Sequence, residues 1–199
     1  MPYHFTRRFA LAAALLTLLC SPRGSWANLI VNPGFETGDF TGWTQSGDTS
    51  FTGVDCTGAL PSHSGACDAY FGPTTDLGFI DQALSTTAGG SYDLDFYLQS
   101  AFGGASRPSE FQLYWDNVLI YDVIDPPGSG GYDHLVFPGL VATTAATDIR
   151  FGFLQEPDFF LLDDVTVDPT VVPEPTSLVL LGSGLLGLAA RRRLRTIEE

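Results

Sequence analysis

The sequence predicts an all-β protein, an antiparallel β-sandwich of jelly-roll type. Three observations carry that expectation. Between Asn28 and Val172 no segment repeats its apolar residues with a helical period. Several short segments alternate apolar and polar side chains with a period of two. Clusters of Gly, Pro, Asp and Ser separate them, as in "GPTTDLG", "FGGASRPS" and "DPPGSGG". Short strands in series with no intervening helix fold as two stacked sheets.

The strand candidates run in order "NLIV", "CDAYFG", "GFIDQAL", "SYDLDFYLQS", "EFQLYWDNVLIYDV", "YDHLVFPGL", "DIRFGFL" and "FFLLDDVTV". In the fourth, Tyr92, Leu94, Phe96 and Leu98 share one face, and Asp93, Asp95, Tyr97 and Gln99 the other. The fifth is a hairpin. Phe111, Leu113 and Trp115 alternate up to the turn pair Asp116-Asn117, and Val118 to Val123 return. The chain is long enough for one domain with a real core, assigned here to residues 28–168. No internal repeat is visible.

Residues 1–27 have the layout of an export signal. Arg7 and Arg8 form the basic start, Phe9 to Leu19 the apolar stretch, and Ser25-Trp26-Ala27 the small-residue cleavage pattern. Cleavage between Ala27 and Asn28 is expected. Thr6-Arg7-Arg8-Phe9 partly resembles a twin-arginine signal, but the Phe comes one place early, so the general secretory route is favoured. Cys20 follows Leu19, where a lipoprotein signal has a small residue. Loss of the signal leaves Cys56 and Cys67, and an oxidising compartment favours a disulfide between them. Zinc is the weaker reading, since His63 is the only other nitrogen ligand nearby.

All nine basic residues are arginines, and seven lie in the two terminal segments. Between Asn28 and Val172 only Arg107 and Arg150 face 20 acidic side chains, about −18 in net charge. Such a surface repels phosphate backbones, which argues against a nucleic-acid partner. It suits divalent cations and neutral polymers. Catalytic signatures are missing: there is no Gly-x-Ser-x-Gly elbow, no His-Glu-x-x-His and no phosphate loop. Acidic pairs could serve a glycosidase, but the sequence singles out none.

Two stretches carry a more specific pattern, "NLIVNPGFETGDFTGWT" from Asn28 to Thr44 and "FFLLDDVTV" from Phe159 to Val167. Together with "GGSYDLDFYL" and the Trp-bearing hairpin, they resemble carbohydrate-binding modules and galactose-binding-like jelly rolls. The resemblance implies a structural calcium held by a carboxylate from each end of the domain, here Glu36 and Asp164, with Asp163 as the alternate. Calcium wants hard oxygens, which carboxylates and carbonyls supply. Sugars stack on aromatic faces, and Trp115, Tyr97, Tyr114 and Tyr121 are the candidate glycan contacts. Trp43, after the Gly38-x-x-x-Gly42 turn, is expected to anchor the core or its edge.

The C-terminal segment reads "VVPEPTSLVLLGSGLLGLAARRRLRTIEE". Residues 169–175 form a Pro-rich linker. Thr176 to Ala190 carry no charge, and as a helix would span about 22 Å, short of a hydrocarbon core of about 30 Å. The helix and arginine tail occupy residues 176–199, with Arg191, Arg192, Arg193 and Arg195 expected on the cytoplasmic side. Pro173-Glu174-Pro175, a short apolar run and an arginine block closely resemble the PEP-CTERM sorting signal. That resemblance implies a membrane-held intermediate, processing at or near Pro173, Glu174 and Pro175 by an exosortase, and delivery to the surface or extracellular matrix of a Gram-negative bacterium. The expected activity is non-catalytic binding of an extracellular polysaccharide. The alternatives are a structural or adhesive surface protein and, third, a glycan-active hydrolase.

Overall fold

The computed structural model describes residues 27–100, 109–155, 158–170 and 182–184. Among these described residues, ten strands form two antiparallel five-stranded sheets. In chain order they are β1 (Thr44–Gly47), β2 (Thr52–Asp55), β3 (Asp68–Phe71), β4 (Gly78–Ser85) and β5 (Ser91–Ser100). Then come β6 (Glu110–Trp115), β7 (Val118–Ile124), β8 (Asp133–Val141), β9 (Ala146–Leu154) and β10 (Phe160–Pro169). One sheet, called A here, is ordered β1-β4-β9-β6-β7, and the other, B, is ordered β2-β3-β10-β5-β8.

The period-two pattern places the core as expected. On β5, Tyr92, Leu94, Phe96 and Leu98 are all buried. They meet Phe111, Leu113 and Trp115 of β6, Ile149, Phe151 and Phe153 of β9, and Phe160, Leu162 and Val167 of β10. Phe71 and Phe153 stack across the two sheets with ring centroids 3.8 Å apart. Trp43 lies in the core, stacked on Phe35. The hairpin β6–β7 turns at Asp116 and Asn117, which both have positive φ, as a two-residue primed turn requires.

Three features differ from the sequence expectation. "NLIV" is not a strand: Leu29 N–H donates once to Val167 C=O, Val31 exchanges two hydrogen bonds with the Gln82 side chain, and the start of the segment is docked by the Asn28 side chain. Its Oδ1 accepts from Val167 and Ile30 N–H, and its Nδ2 donates to the Val165 carbonyl. The polar strands β1 and β2 have no apolar alternation to announce them. The sandwich continues past Asp168, with Pro169 paired to Tyr92 and Thr170 bonded to Ser91. The expected signal up to Trp26, the Pro-Glu-Pro and the arginine block lie outside the described residues. Of the expected C-terminal helix, residues 182–184 form a helical turn. No helix of the described residues is long and apolar enough to cross a membrane.

Candidate functional site

The outer face of sheet B gathers most of the chemistry. Residues paired across a sheet point to the same side. Asp55 of β2 pairs with Asp68 of β3, and Asp163 of β10 pairs with Tyr97 of β5, itself opposite His134 of β8. Since Leu162 pairs with Ala69, the same register sets Asp163 beside Asp68. One row across the sheet therefore reads Asp55, Asp68, Asp163, Tyr97, His134.

The loop between Cys56 and Cys67 folds onto this row. Its ends are joined by the expected disulfide. Asp163 Oδ2 accepts from the backbone N–H of His63 (2.9 Å) and Ser64 (3.1 Å). Glu36 Oε1 accepts from Ala66 (2.9 Å) and Cys67 (3.1 Å) N–H. Asp164 bonds His63 Nδ1 at 2.6 Å and accepts from Ser64 Oγ at 2.8 Å. His63 is thereby laid on Tyr97, centroids 3.4 Å apart, and His134 stacks on the same ring at 4.4 Å. Tyr132 meets His63 edge-on, and Asp95 lies 3.2 Å from His134 Nε2.

Burial makes this row electrostatically unusual. Asp68 is 1% exposed, and neither carboxylate oxygen has a hydrogen-bond partner. Desolvation, with repulsion from Asp55 and Asp163 added, pushes its carboxyl up to about 7. Asp163 is fully buried and raised to about 6, chiefly by desolvation, although the N–H bonds it accepts pull the other way. The Tyr132 hydroxyl is buried without a partner and is also raised by burial.

Glu36, Asp163 and Asp164, expected to hold calcium, do converge. A Cβ placed on Gly34 would lie within 3.8 Å of all three side chains. By themselves these three acids supply only part of a calcium shell. Calcium takes about six to eight oxygens. Here N–H, imidazole and hydroxyl groups of the loop engage these carboxylates. Among the described residues no group of three or more His, Cys, Asp or Glu is placed to hold a metal ion. The three acids act as clamps for the loop.

The four candidate glycan contacts are not brought together. Trp115 is 4% exposed and belongs to the core, its ring N–H donating to Val141 C=O at 2.9 Å, which removes it from the surface. Tyr121 packs against Phe111 and Phe137 between the sheets. Tyr114 lies on the outer face of sheet A, bonded to Gln112 and near Phe79, which Arg150 covers. Only Tyr97 is on sheet B, and two imidazoles stack on its ring. Sequence reading missed His134, Tyr132 and Asp68. The period-two phase puts Asp68 on the same side as Tyr70, but only cross-strand register reveals the row.

The fold and this polar face define a class, a jelly-roll β-sandwich with one outer face furnished with aromatic, imidazole and carboxylate groups. Residues 171–193 match the PEP-CTERM protein-sorting motif. No curated protein matches the chain. Among solved structures, it is similar to the carbohydrate-binding module TmCBM61, solved with β-1,4-galactotriose, at TM-score 0.56 and 19% identity over 72% of this chain and 99% of that one. It is also similar to the C-terminal family 22 carbohydrate-binding module of Clostridium thermocellum Xyn10B (TM-score 0.51, 17% identity, 71% and 94% covered). A Stig cyclase from Fischerella sp. TAU aligns at TM-score 0.52 with 16% identity, covering 74% of this chain and 100% of that one. At these identities the likeness concerns the fold.

Proposed function

We propose that the protein is exported, sorted to the cell surface or extracellular matrix by an exosortase, and binds an extracellular glycan without catalysis through the outer face of sheet B. The observation that carries the binding reading is the Tyr97, His63 and His134 ring stack beside the partly exposed Asp164 and Asp95 carboxylates. Flat rings and hydrogen-bond acceptors on one face match the two sides of a sugar. The His134 side chain is 45% exposed and within reach of a ligand. The test is a pull-down of the 28–172 segment on the producing organism's own exopolysaccharide. Binding is expected, with His134→Ala about tenfold weaker, as for loss of one good contact. Equal retention of both forms, or release of reducing sugar, would sink this reading.

A structural or adhesive role has its own support. β7 and β8 are the edge strands on one side, and Val118, Leu119, Ile124, Val136 and Val141 are exposed there. Edge strands with exposed aliphatic residues favour contact with other chains. Concentration-dependent self-association with no retention on polysaccharide would favour this second reading.

A further inference from the structure

We propose that the folded domain restrains its own sorting segment, and that Thr170 is the residue that sets how fast the segment is processed. This restraint presupposes the sorting reading above and adds a rate-setting element to it.

Thr170, the last described residue before the sorting motif, is tied to the sandwich. Thr170 N–H donates to Ser91 C=O at 2.8 Å. Thr170 Oγ1 bonds Ser91 Oγ at 3.2 Å and Asp93 Oδ1 at 2.9 Å. The same Asp93 oxygen accepts from Gly139 N–H, which ties the anchor to β8 as well. Only Val171 and Val172 separate Thr170 from Pro173.

That leash is short. Three residues reach at most about 11 Å even when fully extended. A domain of this size has a radius of gyration of about 14 Å. Peptide-processing clefts take their substrates as extended chain, with main-chain contacts on both sides of the cut. A cut at Pro173–Pro175 therefore needs residues that the folded domain holds, unless the last part of β10 lets go. Asp168 and Asp93 sit directly opposite each other there, and like charges so placed weaken the pairing. Beyond Val167, where Leu29 still bonds the strand, the end of β10 is held by the β5 pairing and the Thr170 anchor. Opening it costs a few hydrogen bonds and no core side chain. Local release of a strand end is the ordinary low-energy opening of a folded domain.

The experiment follows the full-length chain in a Gram-negative host that carries the processing enzyme, by pulse-chase and mass of the products. A six-residue Gly/Ser insertion after Thr170 lengthens the leash and is expected to speed conversion several-fold. Thr170→Val keeps the shape, removes the hydroxyl bonds, and is expected to speed it about fivefold, the factor carried by about one net hydrogen bond. Melting of the released domain checks that both variants fold. Unchanged or slower conversion in both, with folding intact, overturns the restraint while leaving sorting in place. A chain with Pro173, Glu174 and Pro175 all replaced by Ala separates the two ideas. If it is processed normally, the sorting reading fails and the restraint falls with it.

Discussion

Gly65 shows how closely the Cys56–Cys67 loop is fitted. Its φ is +62°, a conformation that favours glycine, and a Cβ there would sit 2.0 Å from Glu36 Oε1. That carboxylate is the one receiving the Ala66 and Cys67 N–H groups. Gly65→Ala must therefore strain the backbone and push Glu36 off its two donors at once. The expected loss is about 1–3 kcal/mol of unfolding free energy, in the range of a strained φ plus one or two lost hydrogen bonds. Urea melts of the domain measure it. A variant as stable as the parent would show that Glu36 does not clamp the loop. None of this was legible in "CTGALPSHSGAC", where Gly65 looks like an ordinary loop residue. The contact joins residues about thirty positions apart.

At the scale of elements, the disulfide loop is the piece that brings His63 to Tyr97. It is fastened four ways: by the Cys56–Cys67 bond, by Asp55, by Glu36, and by Asp163 with Asp164. Replacing both cysteines by Ser removes the covalent fastening. The chain-entropy model puts the cost for a loop of this length at roughly 2–3 kcal/mol. The Asp163 and Glu36 bonds should keep the loop seated, so glycan retention is expected to survive at temperatures well below melting. A double variant that melts with the parent would mean the bond adds nothing. The elements also show what sequence can reveal. β5 and the β6–β7 hairpin were readable because one of their faces is packed and the other wet. β1 and β2 were not, because their residues are polar or small and their strand character comes from pairing with β4 and β3. The site was half legible. The acids at Glu36, Asp163 and Asp164 could be picked from motif resemblance, but their occupation by loop N–H groups is a tertiary fact.

Across the whole molecule, pH should act on stability with two opposite arms. Asp55 is held down to about 2, and Asp39 and Asp48 are lowered, each chiefly by hydrogen bonds from nearby Thr or Ser. Lowered acids favour the folded state above their unfolded pKa and lose that benefit as pH falls through the folded value. Their arm therefore appears below about pH 4. Asp68, up to about 7, and Asp163, up to about 6, move the other way, with burial the main cause. A raised acid binds its proton more tightly when folded, so its contribution is complete below the unfolded value and is lost as pH rises through the folded one. These two share one row and repel each other, so they titrate as a coupled pair rather than separately. Stability should peak near pH 4 and fall by on the order of a few kcal/mol, mostly between about pH 4 and 7, since each tenfold difference in proton affinity between folded and unfolded chain is worth about 1.4 kcal/mol. General repulsion in so acidic a chain also weakens it as pH rises. Asp68→Asn distinguishes the two causes. It removes a single charge among 20 in the segment from Asn28 to Val172, so a diffuse effect would barely change. If the buried row is responsible, the variant should melt higher than the parent at pH 8 and match it only near pH 4 and below. A parent whose melting temperature is flat or rising from pH 5 to 8 would mean that Asp68 and Asp163 are solvated, and that the loop does not seal the row.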